Sequence, residues 1–252
     1  MKRILFGLVL AIGLTGFVVT ANAQQKMKIY ISVDMEGIAG VVTGDQLGPS
    51  GFEYSRFREI MTQEVNTAIQ AAFEAGATEV LVSDSHGNGE NILIEKLPKN
   101  VMVVRSWPRP LMMMQGMDET FDGVIFLGYH ASTVNMQGVR AHTISGGTFA
   151  DVRLNGVSVS EAALNAAIAG QFNVPVIMIS GDDAIVKEAA AVLGNIEGAV
   201  VKWAYGFHSA KTLTPEAACE VIREKVKKAM ARIREFRPYK LKPPIQLDVR
   251  FK

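Results

Sequence analysis

The sequence predicts an α/β fold of three layers: a largely parallel sheet with helices on both faces and a small antiparallel hairpin excursion. Short runs rich in Val and Ile, namely KIYISV, EVLVSD, NVMVVRS, GVIFLGYH, VPVIMIS and AVVKWAY, recur along the chain, and near-continuous apolar runs of this length are typical of strands buried on both faces. Between several of them lie stretches with apolar residues at three- and four-residue spacing, the alternation that βαβ units require. Acids and imidazoles stand where three of the runs end: Asp34 and Glu36 after the first, Asp84 and His86 after the second, His130 after the fourth. In an open α/β sheet the crevice outside the carboxyl ends of the strands binds ligands, so these side chains can converge although far apart in sequence.

The first segment is read apart from the fold. Lys2 and Arg3 precede an apolar stretch from Ile4 to Val19, and Ala21-Asn22-Ala23 follows as a small-x-small cleavage site. This is the pattern of a secretory signal peptide over residues 1–23, leaving Gln24 as the new N-terminus and a periplasmic or secreted protein. The apolar core is short against the ~20 residues of a spanning helix, so no stable membrane anchor is expected. Removal of Lys2 and Arg3 turns the formal net charge of +1 slightly negative, a balance that argues against nucleic acid as a partner. The single cysteine, Cys219, has no intrachain partner for a disulfide and reads as a buried, inert thiol on a helix. Without internal repeat or low-complexity linker, residues 24–252 read as one domain.

The elements follow in order. After KIYISV, residues Phe57, Ile60, Met61, Val65, Ala68, Ile69, Ala72 and Phe73 mark one face of a helix that Gly76 terminates. EVLVSD is the next strand, followed by a polar Gly-rich loop, the strand NVMVVRS, a short helix in PLMMMQGM and the strand GVIFLGYH. VRAHTIS and FADVRLNGVSVS alternate in polarity and the latter carries Asn155-Gly156, which predicts a small antiparallel hairpin. Ser160-Glu161 opens the helix EAALNAAIAG; then come VPVIMIS, the helix AIVKEAAAVL, the strand AVVKWAY, and a long helix with Thr214 as N-cap and Pro215 at its first position. The final IQLDVRFK looks like a strand just beginning. The expectation is a sequence truncated at its C-terminus or lacking a terminal subdomain.

Asp34 and Glu36 are two apart, which in extended chain places both on one face. Carboxylates so close repel unless protons or a cation neutralise them; a divalent ion does so, whereas a turn-capping Asp34 with a solvated Glu36 is the bland alternative. His86, in Ser-Asp-Ser-His-Gly-Asn-Gly, is presented by a loop at a strand end, with Asp84 able to ligate or to orient it. His130 repeats the arrangement at a third strand end, and three such ends are hard to explain by capping. Glu161, at a helix N-terminus, reads from position alone as a first-turn acid worth ~0.3–1 kcal/mol. His142, with Arg140 and Ile144 as its alternate neighbours on an expected strand, is either a core histidine or a proton carrier.

Taken together, SVDMEGIAGV, VLVSDSHGNGEN, FLGYHA, RAHT and SEAALNA, in this order and at these separations, resemble the D-aminopeptidase family, the M55 zinc peptidases, from about Met27 to the final helix. The resemblance implies two Zn2+ per chain, with Asp34 shared between them and Glu36, His86, His130 and Glu161 completing the coordination, and His142 as the catalytic histidine. It further implies a homo-oligomer, and an aminopeptidase that hydrolyses N-terminal, D-configured amino acids from short peptides through a dinuclear metal-activated water. His208 matches no ligand motif and reads as a surface or outer-shell residue, and Asp84 as the residue that orients the His86 loop. Two alternatives stand beside this. One is a two-metal phosphoesterase, for which Arg105, Arg109 and Arg140 are the available phosphate clamps; the other is an exported solute-binding protein. Manganese or cobalt could also occupy a mixed carboxylate and imidazole set.

Overall fold

The computed structural model describes residues 26–252; the expected signal segment over residues 1–23 lies outside the described residues. Strand β1 (Lys28–Val33) runs through the interior of a seven-stranded sheet. Its neighbours are β2 (Glu79–Asp84) and β4 (Gly123–Tyr129), with β3 (Val101–Val104) outside β2, and β7 (Val176–Asp182), β8 (Glu197–Gly206) and β9 (Ser209–Thr212) continuing beyond β4. All pairings are parallel except β8 with β9. The strand order reverses direction at β1 and β4, which opens the crevice at the carboxyl ends that such sheets use for ligands.

Alternation along the strands divides two cores. Ile29, Ile31 and Val33 of β1 pack with helices α1 (Tyr54–Glu74) and α4 (Pro215–Ala231) on one face, while Tyr30 packs with α2 (Glu161–Gln171) and α3 (Asp183–Leu193) on the other. The predicted stripe on α1 is the buried one: Phe57, Met61, Val65, Ala68, Ile69 and Ala72 lie in the core, with Ile60 and Phe73 packed against it. The helix ends at Gly76, whose φ is +103°. Gly76 N–H donates to Phe73 O (3.0 Å) and Ala77 N–H to Ala72 O (2.9 Å), the paired bonds that satisfy the last carbonyls of a helix. Thr214 caps α4 and Pro215 is its first residue, as expected.

The antiparallel excursion is larger than a hairpin. β5 (Phe149–Leu154) and β6 (Val157–Ser158) turn at Asn155-Gly156, both with positive φ, and β10 (Leu247–Phe251) adds to β5 as a third strand. Within the terminal IQLDVRFK, Leu247–Phe251 is thus a formed strand at the edge of this sheet. Val152 and Leu154 of this small sheet, with Val159 just after β6, pack on Ala163 and Ala167 of α2, which fixes the helix whose first residue is Glu161.

Two other segments depart from the sequence reading. VRAHTIS is not a strand: Arg140 and Ile144 have φ of +53° and +65°, and the segment is an irregular loop held by tertiary bonds. PLMMMQGM contains only a 3-10 turn at Met112–Met114.

Candidate metal centre

The turn after β1 is wedged onto the end of β4. Gly37 N–H donates to Gly128 O at 2.7 Å, and a Cβ on Gly37 would lie 2.0 Å from Tyr129 O. Gly128 has φ of +70° and its own Cβ would meet Asp34 O at 2.2 Å. Only glycine permits backbones to approach this closely, and the contact brings Asp34 and Glu36 beside His130, which follows β4. Asp84, fully buried, accepts the Asn91 and Ile92 N–H groups (2.6 and 2.8 Å) and Asn91 Nδ2 (2.8 Å), and Asn91 Nδ2 also donates to His86 O (2.7 Å). The acid thus holds the loop that presents His86, and its carboxylate is spent on that loop. Glu161 stands at the first turn of α2, behind the Ser160 cap, and its Oε1 accepts Ile144 N–H at 2.7 Å, tying the His142 loop to the same centre.

All six sequence-predicted residues, Asp34, Glu36, His86, His130, His142 and Glu161, line or border one buried cluster. Two groups can each hold a metal ion: Asp34, Glu36 and His86, and His130, His142 and Glu161, with the offered ligand atoms of each within 4.8 Å of one another. Asp34 joins them, with Oδ1 3.1 Å from His86 Nδ1 and Oδ2 3.2 Å from His130 Nε2. His130 Nε2 is 3.4 Å from Glu161 Oε1, and His142 Nε2 lies 4.0 Å from Glu36 and 3.9 Å from Glu161. The rings of His130 and His142 stack at 4.0 Å. His208 is exposed, against Phe207.

The imidazoles are oriented by carbonyls. His86 Nε2 donates to Leu47 O (2.7 Å), His142 Nδ1 to Arg140 O (2.7 Å) and His130 Nδ1 to Ala131 O (3.1 Å), roles assigned from the acceptor-only nature of the carbonyl. Each second ring nitrogen then faces carboxylates and must carry a proton or meet a cation. Metal-binding histidines are commonly fixed in this way. Glu36 Oε2 faces His86 Nδ1 at 2.8 Å, and His130 Nε2 faces Asp34 and Glu161 at 3.2 and 3.4 Å, so without protons on the rings these contacts set lone pairs against lone pairs, which a cation between them relieves. The oxygen and nitrogen donors suit zinc.

The electrostatics follow from burial and crowding. Burial, then the neighbouring Glu36 charge, raises the Asp34 carboxyl. Burial pushes Glu36 and Glu161 the same way, but His86 for the former and His130 for the latter outweigh it and hold both acids low. Burial disfavours charge on His86 and His130, yet their carboxylate neighbours raise both rings well above the ordinary histidine value. A cluster that draws protons onto its imidazoles draws metal cations for the same reason.

The cluster floors a cleft of about 340 Å³ whose other wall is Trp107, Met112, Met113 and Ile144. No Lys or Arg lines it. Arg109 is committed below Trp107, donating to Ser83 Oγ, Asp84 O and Ser106 O with its guanidinium 4.1 Å from the indole centroid.

Residues 27–252 match the family model described as D-aminopeptidase, peptidase M55. The chain belongs to this family. Among its members, the D-aminopeptidase of Bacillus subtilis (strain 168) is 39% identical over 218 residues, covering 86% of this chain and 78% of the relative. The solved structure of the Zn-dependent D-aminopeptidase DppA from Bacillus subtilis, a self-compartmentalizing protease, matches with a TM-score of 0.87 at 37% identity. That match covers 89% of this chain and 81% of the other. The mostly parallel sheet with its helices is thus the fold of a D-aminopeptidase.

Sequence reasoning missed the apolar wall and the buried pair Glu64 and Lys202 beneath the Asp34 turn. The wall residues carry no local pattern. Lys202 had a usable signal, because a lysine between Val201 and Trp203 in an apolar strand is anomalous.

Proposed function

We propose that this protein is a zinc-dependent aminopeptidase that removes N-terminal, D-configured residues from short peptides, using water activated between two zinc ions. The observation that carries the reading is the convergence of three carboxylates and three oriented imidazoles, with Nδ1 of His86 and Nε2 of His130 turned onto the carboxylates, at and just beneath the floor of a cleft lined by no Lys or Arg. Asp34 would be the shared carboxylate, with Glu36 and His86 on one side and His130 and Glu161 on the other. Bound zinc supplies Lewis acidity and brings the pKa of water near neutrality. The wall of Trp107, Met112, Met113 and Ile144 excludes water around the first side chain of the substrate. His142, its Nδ1–H held by Arg140 O, presents Nε2 to the cleft. There it donates to the developing oxyanion or protonates the departing amine. Preference for D-residues is supported by the relatives' activity.

A phosphoesterase would need cations against the phosphate, and Arg105, Arg109 and Arg140 all lie outside the cleft lining. The pattern of residues 1–23 supports export to the periplasm or medium with Gln24 as N-terminus, and the self-compartmentalizing relative supports a homo-oligomer.

The deciding experiment combines elemental analysis of wild type and Asp34→Ala with turnover of D-alanyl and L-alanyl p-nitroanilide. About two zinc ions per chain, depleted together with activity in the variant and with the D-substrate preferred, is the expected result. A folded wild type that refuses added zinc, or one that cleaves the L-substrate far better, overturns the reading.

A further inference from the structure

Lys202, on β8, is fully buried, a position lysine almost never takes without partners. Its partners are three backbone carbonyls. Nζ donates to Glu36 O at 2.5 Å, Ile38 O at 3.0 Å and Val41 O at 2.6 Å, so every ammonium proton is used and no side-chain anion is among the acceptors. All three carbonyls belong to the loop 36–41 that leaves β1 and crosses the end of the sheet toward β8. The same loop is held from other elements: Ala39 N–H donates to Glu64 Oε1 of α1 at 2.9 Å, and Gly40 N–H to Thr212 Oγ1 of β9 at 2.8 Å. Glu36 is therefore gripped at its carbonyl while its carboxylate reaches to 2.8 Å from His86 Nδ1.

We propose that Lys202 is a positioning residue for one half of the metal centre: by fixing loop 36–41 it sets the affinity of the Asp34, Glu36 and His86 group for its ion and leaves the ion beside His130 and Glu161 alone. The proposal rests on the two-zinc reading. Charge-assisted hydrogen bonds are roughly twice as strong as neutral ones, which suits a loop that must hold a carboxylate in place against its negatively charged neighbours. The ammonium costs desolvation, and what it returns is order in loop 36–41, whose three carbonyls would lack these donors with an apolar side chain in its place. The selectivity follows from the attachments. His130 continues β4, and Glu161 begins α2; Lys202 donates to neither segment. Asp34 is fixed independently, by its N–H to Leu127 O at 2.8 Å and by Met35 N–H to its Oδ1 at 2.8 Å.

The test uses the zinc-loaded protein dialysed against a graded series of chelator concentrations, reading zinc retained per chain and the visible spectrum after cobalt replacement. Lys202→Met is compared with Thr212→Val, an exposed position on the same loop's anchorage, and with Ile222→Ala, a core truncation in α4 that touches none of the loop's bonds. Lys202→Met is expected to release one of two ions at a chelator concentration at least ~10-fold lower than wild type, a difference equal to about 1.4 kcal/mol, with the other ion unmoved. Thr212→Val should shift the same ion by a few fold, and Ile222→Ala should lower the melting temperature without separating the two ions. A Lys202→Met protein that keeps both ions as tightly as wild type, or loses both in parallel, overturns the proposal. If Lys202→Met does not fold, Thr212→Val decides alone: a shift confined to one ion supports the proposal and no shift overturns it. A wild type that takes up fewer than two ions overturns the two-zinc reading and this proposal with it, whereas two ions with an unmoved variant overturns the proposal only.

Discussion

His142 is close enough to Glu36 and Glu161 (4.0 and 3.9 Å) to count as a ligand, yet its ring is also poised over the cleft like a proton carrier. A single substitution separates the two roles. His142→Ala is expected to retain both zinc ions and to lower kcat by about 10²- to 10⁴-fold with little change in KM; loss of one ion in that variant would move His142 among the ligands. Glu64, below the Asp34 turn, behaves differently. Its carboxylate is fully buried with Oε2 unpartnered, and burial pushes the group up to about 7, with the Ala39 N–H and then Lys202 opposing. Unfolded, it titrates near 4.5, so between these values the folded chain keeps a proton that the unfolded chain has released. Its contribution to stability therefore falls as pH rises from about 4.5 through 7, and the cost is complete above that. Glu64→Gln, which keeps the acceptor for Ala39 N–H, should gain on wild type by on the order of 2 kcal/mol between pH 5 and pH 8 in urea unfolding. A difference that is flat with pH would count against this origin.

At the scale of elements, the turn after β1 is the part of the fold on which the site most depends. Gly37→Ala would place a methyl 2.0 Å from the Tyr129 carbonyl, and because that atom is backbone the whole turn must move. The expected outcome is a loss of about 1–3 kcal/mol, with zinc content at the Asp34 group falling alongside; thermal unfolding and elemental analysis together check it, and an unmoved zinc content would dissociate the turn from the centre. The elements that sequence patterns foretold are those specified locally: the α1 stripe ending at Gly76, the Asn155-Gly156 hairpin, the Thr214-Pro215 start of α4. Asp34, His86 and His130 were legible because they end strands, a position with chemical meaning in this architecture. Glu161 was not, since an acid in a helix's first turn has an ordinary explanation, and only tertiary packing carries it to His130. The RAHT segment misled for a related reason. Its polarity alternates, but Arg140 N–H is taken by Phe207 O and Ile144 N–H by Glu161, and those distant bonds hold two non-glycine residues at positive φ that no local rule foretells. The β8–β9 hairpin likewise turns at Phe207-His208, without the Asn-Gly or Gly-Gly pair that announces such turns.

For the whole molecule, the proposed action on short peptides asks more than a cleft of about 340 Å³ supplies. The cleft alone limits what enters it, but any flexible chain end can reach an open cleft, so selection by peptide length requires that the approach also be enclosed. The surface carries apolar groups suited to subunit contacts: Phe52, Met136 and Tyr205 are 83%, 87% and 74% exposed, and Phe251 at the sheet edge 68%. Single exposed apolar side chains are ordinary, but large aromatic residues are enriched where subunits meet. The proposed assembly therefore makes two linked predictions for residues 24–252. Sedimentation should give a mass several times that of one chain, and cleavage of D-alanyl peptides should fall steeply with peptide length while the p-nitroanilide remains a good substrate. If the protein sediments as a monomer and still discriminates against long peptides, the restriction lies in the cleft wall of Trp107, Met112, Met113 and Ile144, and truncating Trp107 should relax it. A monomer that cleaves long and short peptides equally would leave the chain without any enclosure, and the homo-oligomer reading would fall.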